Sequence, residues 1–275
     1  MITRFEDRNL QNEISEYLST FLTEERLERI HHVLSNRTRY LTVVVEDLYQ
    51  TQNISAVMRS CECMGIQDVH VVEGENEFNI HKAISMGSDK WLSIHHYPKA
   101  EGNMRHCIQQ LQQKGYRVAA TLPGNDSVYM EELPLDKPIA FLFGTELTGL
   151  SQEAIVHADC SVKIPMYGFT TSFNISNSVA IIADYFTEKL RKTSINWQLS
   201  EEERDYLLCE WVQKSVKNPE LLIKNFLEKK VVGKKKSINF APLIYRQKIN
   251  TNNNILNNEK NISTFKQKTQ KQTWI

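Results

Sequence analysis

Six short apolar runs punctuate the first 166 residues: LTVVVEDL (41–48), DVHVV (68–72), WLSIHHY (91–97), YRVAATL (116–122), PIAFLF (138–143) and SVKIPM (161–166). Each is too short for a helix, and most are rich in β-branched or aromatic side chains, as in a strand covered on both faces. Stretches with helical spacing separate several of them, at 53–64, 101–114 and 151–158. Strands alternating with helices make βαβ units, so the chain is predicted to be an α/β protein with a mostly parallel sheet and helices on both faces. A further helix is expected over 177–192, and flanking helices over 6–36, 200–215 and 218–230. The implied organisation is a helical extension over 1–39, a central α/β domain over 40–193, a second helical extension over 194–231 and a tail over 232–275.

The formal net charge of the 275 residues is zero, and that average hides an asymmetry. From Lys229 onward there are eleven Lys or Arg and a single acid, Glu259, which leaves the tail at about +10 and the preceding residues at about −10. Seven Asn between 250 and 261, with no sustained apolar period, predict a basic, low-complexity and disordered tail. No run approaches the roughly eighteen apolar residues of a membrane span, and the start MITRFEDRNLQNEISEYL lacks the features of a secretory signal, so a cytoplasmic location away from membranes is expected. Five cysteines, an odd number, suit a reducing compartment.

Three segments have the density of polar residues that chemistry needs. QNISAVMRSCECMG (52–65) opens a helix after the first strand, with Asn53 placed to cap it and Gly65 to end it. Arg59, six positions on, does not share the face of Asn53, and by itself it reads as a solvated arginine. Cys61 and Cys63 point to different sides of a helix, a poor metal pair, and are expected to pack. FLFGTELTGLS (141–151) nearly matches a phosphate loop, but Leu150 stands where the lysine belongs and Glu146 adds negative charge. KIPMYGFTTSFNISNSVAIIADY (163–185) runs from a broken strand through a polar stretch into an apolar helix, with Ser176 or Asn177 as the expected cap. H-E-x-x-H, C-x-x-C, G-x-G-x-x-G and G-x-S-x-G are all absent from the sequence, which disfavours zinc, dinucleotide and serine-hydrolase chemistry.

In their order and separation the stretches NISAVMRSCECMG (53–65), LFGTELTGLS (142–151) and IPMYGFTTSFNIS (164–176) resemble the SpoU/TrmH branch of the SPOUT RNA 2′-O-methyltransferases, and within it the enzymes that modify tRNA guanosine. A looser likeness runs from about Glu24 to Lys214 and includes the trailing helix DYLLCEWVQKS. The resemblance implies a trefoil knot in the C-terminal part of the α/β domain, a homodimer whose active site draws on both subunits, and S-adenosylmethionine held in the knot. It implies cofactor contacts at Thr121, Gly144, Ile164, Met166 and Phe173, the last at a position more often Leu. Catalytic roles fall by the same matching on Arg59, at the acceptor and a phosphate of the RNA, on Asn53, which orients it, and on Ser172, Asn174 and Glu146. A guanidinium holds its proton tightly, which favours Arg59 as a phosphate clamp over a proton acceptor.

The reaction so implied is methylation of a ribose 2′-hydroxyl in tRNA, at the D-loop guanosine 18. Other RNA sites, the tRNA wobble nucleotide or ribosomal RNA, and an inactive knotted RNA-binding module remain alternatives. Candidate phosphate contacts are Arg29, Arg37 and Arg39, on or after the leading helix, and Lys189, Arg191 and Lys192 after the third motif. Gln52 departs from the His common beside the Asn in this branch. No metal is expected.

Overall fold

The structure is a computed structural model that describes residues 3–124, 126–145 and 147–239. Two compact units divide it, one of Ile2–Lys217 and one from Asn218 onward. In the first unit the elements follow as α1 (Arg8–Ser19), α2 (Glu24–Ser35), β1 (Leu41–Glu46), α3 (Thr51–Met64), β2 (Asp68–Val72), α4 (Lys82–Ser85), a 3-10 turn (Ser88–Trp91), β3 (Ser93–Tyr97), α5 (Asn103–Gln113), β4 (Arg117–Thr121), β5 (Val128–Tyr129), β6 (Ile139–Phe143), α6 (Gln152–His157), β7 (Cys160–Lys163), α7 (Ile175–Arg191) and α8 (Glu201–Ser215). The second unit contributes α9 (Pro219–Asn239). The expected disorder from residue 232 is corrected as far as Asn239, where the backbone is helical, and the remainder of the expected tail lies outside the described residues.

The seven strands form one sheet in the order β3-β2-β1-β6-β4-β7-β5, and every pairing is parallel. Side-chain alternation sorts the apolar runs onto two faces. Val43, Val45, Phe141 and Phe143 pack with Val57 and Met58 of α3 and with Ile182 and Phe186 of α7. Val44, Ala140, Leu142 and Val118 pack on the other side with Cys107, Ile108 and Leu111 of α5 and with Ala154 of α6. This is the two-faced burial that unbroken apolar runs require.

The leading helix is two helices rather than one over 6–36. The first ends at Thr20, and Thr23 starts the second by accepting the Arg26 N–H on its side chain, with Glu24 and Glu25 in the first turn. A Thr-Glu-Glu sequence inside an apolar period is a restart signal that periodicity overlooks. Helix α1 is tied to α8 by Arg8, whose Nη2 lies 2.6 Å from Asp205 Oδ2, and the segment before α1 is tied to α8 by Gln213, whose amide both accepts from and donates to the Thr3 backbone. Gly65 ends α3 at φ +81, where a Cβ would lie 2.4 Å from the Asn36 carbonyl oxygen, so only glycine fits that turn without displacement.

On the sheet, His70 of β2 is buried against His95 of β3 with ring centroids 4.4 Å apart, and its Nδ1 lies 3.1 Å from the Tyr97 hydroxyl. Burial, reinforced by the neighbouring His95, pushes the His70 imidazole down from the usual 6.5 to about 3. The unfolded chain therefore binds a proton there before the folded one does, and stability is lost as pH falls from about 6.5 towards about 3. Urea unfolding between pH 7 and pH 4 is expected to show this decline, and His70→Gln to flatten it by up to about 1.4 kcal/mol per pH unit. An unchanged slope in the variant refutes the assignment.

Candidate active site

The carboxyl ends of three adjacent strands, β6, β4 and β7, meet at one edge of the sheet. Such an edge beside the point where the strand order reverses is where open parallel sheets bind ligands. A cleft of about 390 Å³ lies there, and Thr121, Gly144, Ile164, Met166 and Phe173, five residues singled out from three separate stretches of sequence, all line it. That volume falls in the range of small-molecule sites.

The loop after β6 closes on itself. Thr145 and Gly149 exchange backbone hydrogen bonds at 3.1 Å in both directions, and the Thr145 hydroxyl lies 2.7 Å from that of Thr148. Gly144 lies so close to the returning backbone that a Cβ would come within 2.1 Å of the Gly149 carbonyl carbon. Glu46 anchors the loop's far end by accepting the Ser151 N–H at 2.8 Å. Burial raises the Glu46 carboxyl above the usual range, although the Ser151 hydrogen bonds work against it. The Thr121 hydroxyl donates to the Leu142 carbonyl at 2.7 Å and pins the end of β4 to β6.

The polar stretch before α7 supplies the other wall, where Thr171, Ser172 and Ser178 join the lining. Asn174, not Ser176 or Asn177, caps α7, accepting from the Ser176 N–H at 2.9 Å and the Ser176 hydroxyl at 2.6 Å. Its amide donates to Asn53 Oδ1 at 3.2 Å and so joins the starts of α3 and α7. Asn53 does not cap α3. The N-cap position is Gln50, whose side chain accepts from the Asn53 amide at 3.2 Å.

Arg59 is exposed on α3, outside the cleft lining, with no hydrogen bond or ion pair among the described residues. Glu146 lies outside the described residues. Of the expected phosphate contacts, Arg37 is corrected: it is wholly buried, donates to Glu62 at 2.8 Å and to the Ile66 carbonyl at 3.2 Å, and lies over the Trp211 ring. A guanidinium enclosed in this way does not reach a phosphate. Arg39 is drawn to Asp68 at 3.1 Å and Glu203 at 2.8 Å, which removes it as a free cation. Burial alone would raise the Asp68 carboxyl, but His95 and Arg39 outweigh it and hold it low. Arg191 is half-buried and donates to the Met64 carbonyl at 2.9 Å, Lys189 donates to the Glu131 carbonyl at 3.3 Å, and Lys192 is exposed beside Glu188. Arg29 is exposed. Cys61 packs as expected, whereas Cys63 is exposed.

The sequence reading missed Glu46, Thr145 and Thr148. An acid ending an apolar strand was the available signal for Glu46, while the threonine pairing depends on a turn that appears only once the loop is folded.

An all-parallel sheet whose β6, β4 and β7 ends converge on a loop-walled cleft defines an α/β protein built to hold a small ligand at its carboxyl edge. A model of the SpoU rRNA methylase family matches residues 40–184, and the chain belongs to that family. The tRNA (guanosine(18)-2′-O)-methyltransferase of Borreliella burgdorferi is 43% identical to it over 201 residues, spanning 73% of this chain and 90% of that protein. The enzyme of the same name from Thermus thermophilus is 32% identical over 194 residues, 70% of this chain and 98% of that one. Among solved structures, the A. aeolicus TrmH/SpoU tRNA modifying enzyme superimposes with a TM-score of 0.64 at 29% identity, covering 71% of this chain and 98% of that one. The SpoU methyltransferase AviRb from Streptomyces viridochromogenes, crystallised with the cofactor AdoMet, shares the fold with a TM-score of 0.51 at 22% identity, over 58% of this chain and 64% of that one.

Asn174→Ala removes both the cap and the link to Asn53 and is expected to lower stability by about 1 kcal/mol or somewhat more in urea unfolding. Asn174→Asp keeps the cap but cannot donate to Asn53, so it is expected to retain most of that stability. Equal losses in the two variants would contradict the capping role.

Proposed function

We propose that the protein methylates the 2′-hydroxyl of guanosine 18 in tRNA, using S-adenosylmethionine bound in the cleft at the β4, β6 and β7 ends. The observation that carries this reading is the convergence of Thr121, Gly144, Ile164, Met166 and Phe173, from three separated segments, on one cleft in a chain of the SpoU family. Relatives that bear the tRNA (guanosine(18)-2′-O)-methyltransferase name, and that this chain matches over most of their length, support the choice of nucleotide.

The lining suits that cofactor. Lys163 is the one charged side chain among the described lining residues, and its ammonium donates to the Gly124 carbonyl at 3.4 Å. No cation is thus positioned as a phosphate clamp, while apolar walls and backbone groups of the closed 144–149 loop suit an adenosine carrying a sulfonium. When bound, S-adenosylmethionine supplies an activated methyl group, so the protein's task is positioning. Ser172 and the Asn53–Asn174 pair shape the acceptor side, with Glu146 the matched polar residue of the second motif. Arg59 holds an acceptor phosphate by paired hydrogen bonds, and that phosphate or a water takes the 2′-hydroxyl proton.

The same reading includes a trefoil knot and a homodimer. Strand β7 lies beyond β4, yet α7 packs on α3 and β1, so 164–174 crosses beside the 144–150 loop to the other side of β6, a path that supports threading. Leu147, Tyr167 and Phe169 are each at least 97% exposed, an apolar surface that a second copy would cover. The position of Arg59 outside its own chain's cleft supports an active site completed by that copy. A cytoplasmic location follows from a tRNA substrate.

Tritiated methyl transfer from S-adenosylmethionine to unmodified tRNA transcripts, with mapping of the labelled ribose, tests the proposal. Label at the D-loop guanosine is expected. Label elsewhere redirects the substrate, and cofactor binding without transfer points to an RNA-binding module. Arg59→Lys is expected to lower kcat/KM about a hundredfold by loosening the clamp, and near-full activity would exclude paired hydrogen bonding as its role. Gly144→Ala forces the 144–149 loop open and is expected to abolish saturable S-adenosylmethionine binding in calorimetric titration; unchanged affinity would remove the loop from the cofactor site.

A further inference from the structure

We propose that a second pocket, lined by Arg26, Arg29, Trp91 and Trp211, holds an unstacked nucleobase of the RNA substrate with its phosphate. The inference rests on the reading of tRNA as substrate and adds to it a binding site outside the cofactor cleft. The pocket measures about 180 Å³. That is below the range of drug-sized sites and of a size for one ring system.

Its chemistry is that of base recognition. The Arg26 guanidinium lies 5.2 Å from the centroid of the Trp91 ring, and Trp91 meets Trp211 edge to face at 5.5 Å. Bases taken out of a helix stack on aromatic rings and on guanidinium planes. Trp211 is buried, and its indole Nε1 has no hydrogen-bond partner among the described residues. Trp211 thus forms the closed floor of the pocket, and the half-buried Trp91 is the ring open to stacking. Arg29 is exposed and without an ion pair among the described residues, free to meet a phosphate. The one acid in the lining, Glu62, accepts from the buried Arg37 at 2.8 Å, so its charge is balanced from below and the pocket remains cationic.

The position of the pocket fits the same strand that Arg59 would grip. Glu62 follows Arg59 by three residues on α3, and residues so spaced lie on one helix face. One wall of the pocket therefore lies about one helical turn along α3 from the exposed Arg59. An RNA chain whose phosphate is held at Arg59 has a neighbouring nucleotide within reach of Trp91.

Trp91 and Trp211 make the pocket visible by fluorescence. Titration of the full chain with guanosine 5′-monophosphate is expected to quench tryptophan emission saturably. Trp91→Leu and Arg29→Gln are each expected to remove that quenching and to raise the Kd for unmodified tRNA about tenfold, with S-adenosylmethionine affinity unchanged. Arg29→Gln alters only an exposed side chain, so the test stands if Trp91→Leu fails to fold. Wild-type tRNA affinity in Arg29→Gln, with quenching absent or unaltered, overturns the proposal. Failure of the wild-type protein to bind or methylate tRNA defeats the functional reading instead; nucleotide quenching that both variants abolish would then still support the pocket, and its absence would overturn it.

Discussion

The approach of Gly144 to Gly149 governs the cleft. With a Cβ at Gly144 only 2.1 Å from the Gly149 carbonyl carbon, the loop after β6 can fold back on itself only because that side chain is missing. The turn then satisfies its own backbone groups through Thr145 and Gly149, and Glu46 holds its exit through Ser151. What remains outward is a wall of main chain and apolar side chains between the ends of β4 and β7. A loop that could not close would leave the two other walls with nothing to face.

That wall is useful because of the strand order. Helix crossovers carry β2 and β3 to one side of β1 and β4 to the other, and β6 then enters between β1 and β4. Three strands far apart in sequence thereby end side by side, and α7 returns to pack on α3. The Asn53–Asn174 hydrogen bond sits where those two helices begin, so the polar residues of the first and third motifs meet through the packing of apolar residues behind them.

Cationic residues divide by depth rather than by position in the chain. Arg29 lies within α2 and Arg37 and Arg39 follow that helix closely, yet Arg37 is enclosed by Glu62 and Trp211 and Arg39 is held between Asp68 and Glu203. They join α2, β2, α3 and α8 into one body. Arg29 and Arg59 remain outside, where an RNA backbone is accessible to them. In an acidic body such as this one, the few unpaired surface cations carry the electrostatic burden of nucleic-acid binding.

The sequence alone determined the α/β class, the positions of β1, β2, β4 and β6 to within about two residues, and the ends of α3 at Gly65 and α6 at Ser151, because apolar period and glycine are properties of neighbouring residues, whereas Thr121, Gly144, Ile164, Met166 and Phe173, five of the residues that line the cleft, followed from the resemblance of the motifs to a family. It did not reveal the break at Thr23, the transfer of the α7 cap to Asn174, the linking role of Asn53, the burial of Arg37 or the pocket between Trp91 and Trp211. Each of those depends on a partner far along the chain or on competition among several adjacent polar residues, and only the assembled core chooses between them. A charged side chain reads alike in sequence whether it ends in solvent or against an indole ring, since what decides is the shape of the space that other segments leave for it.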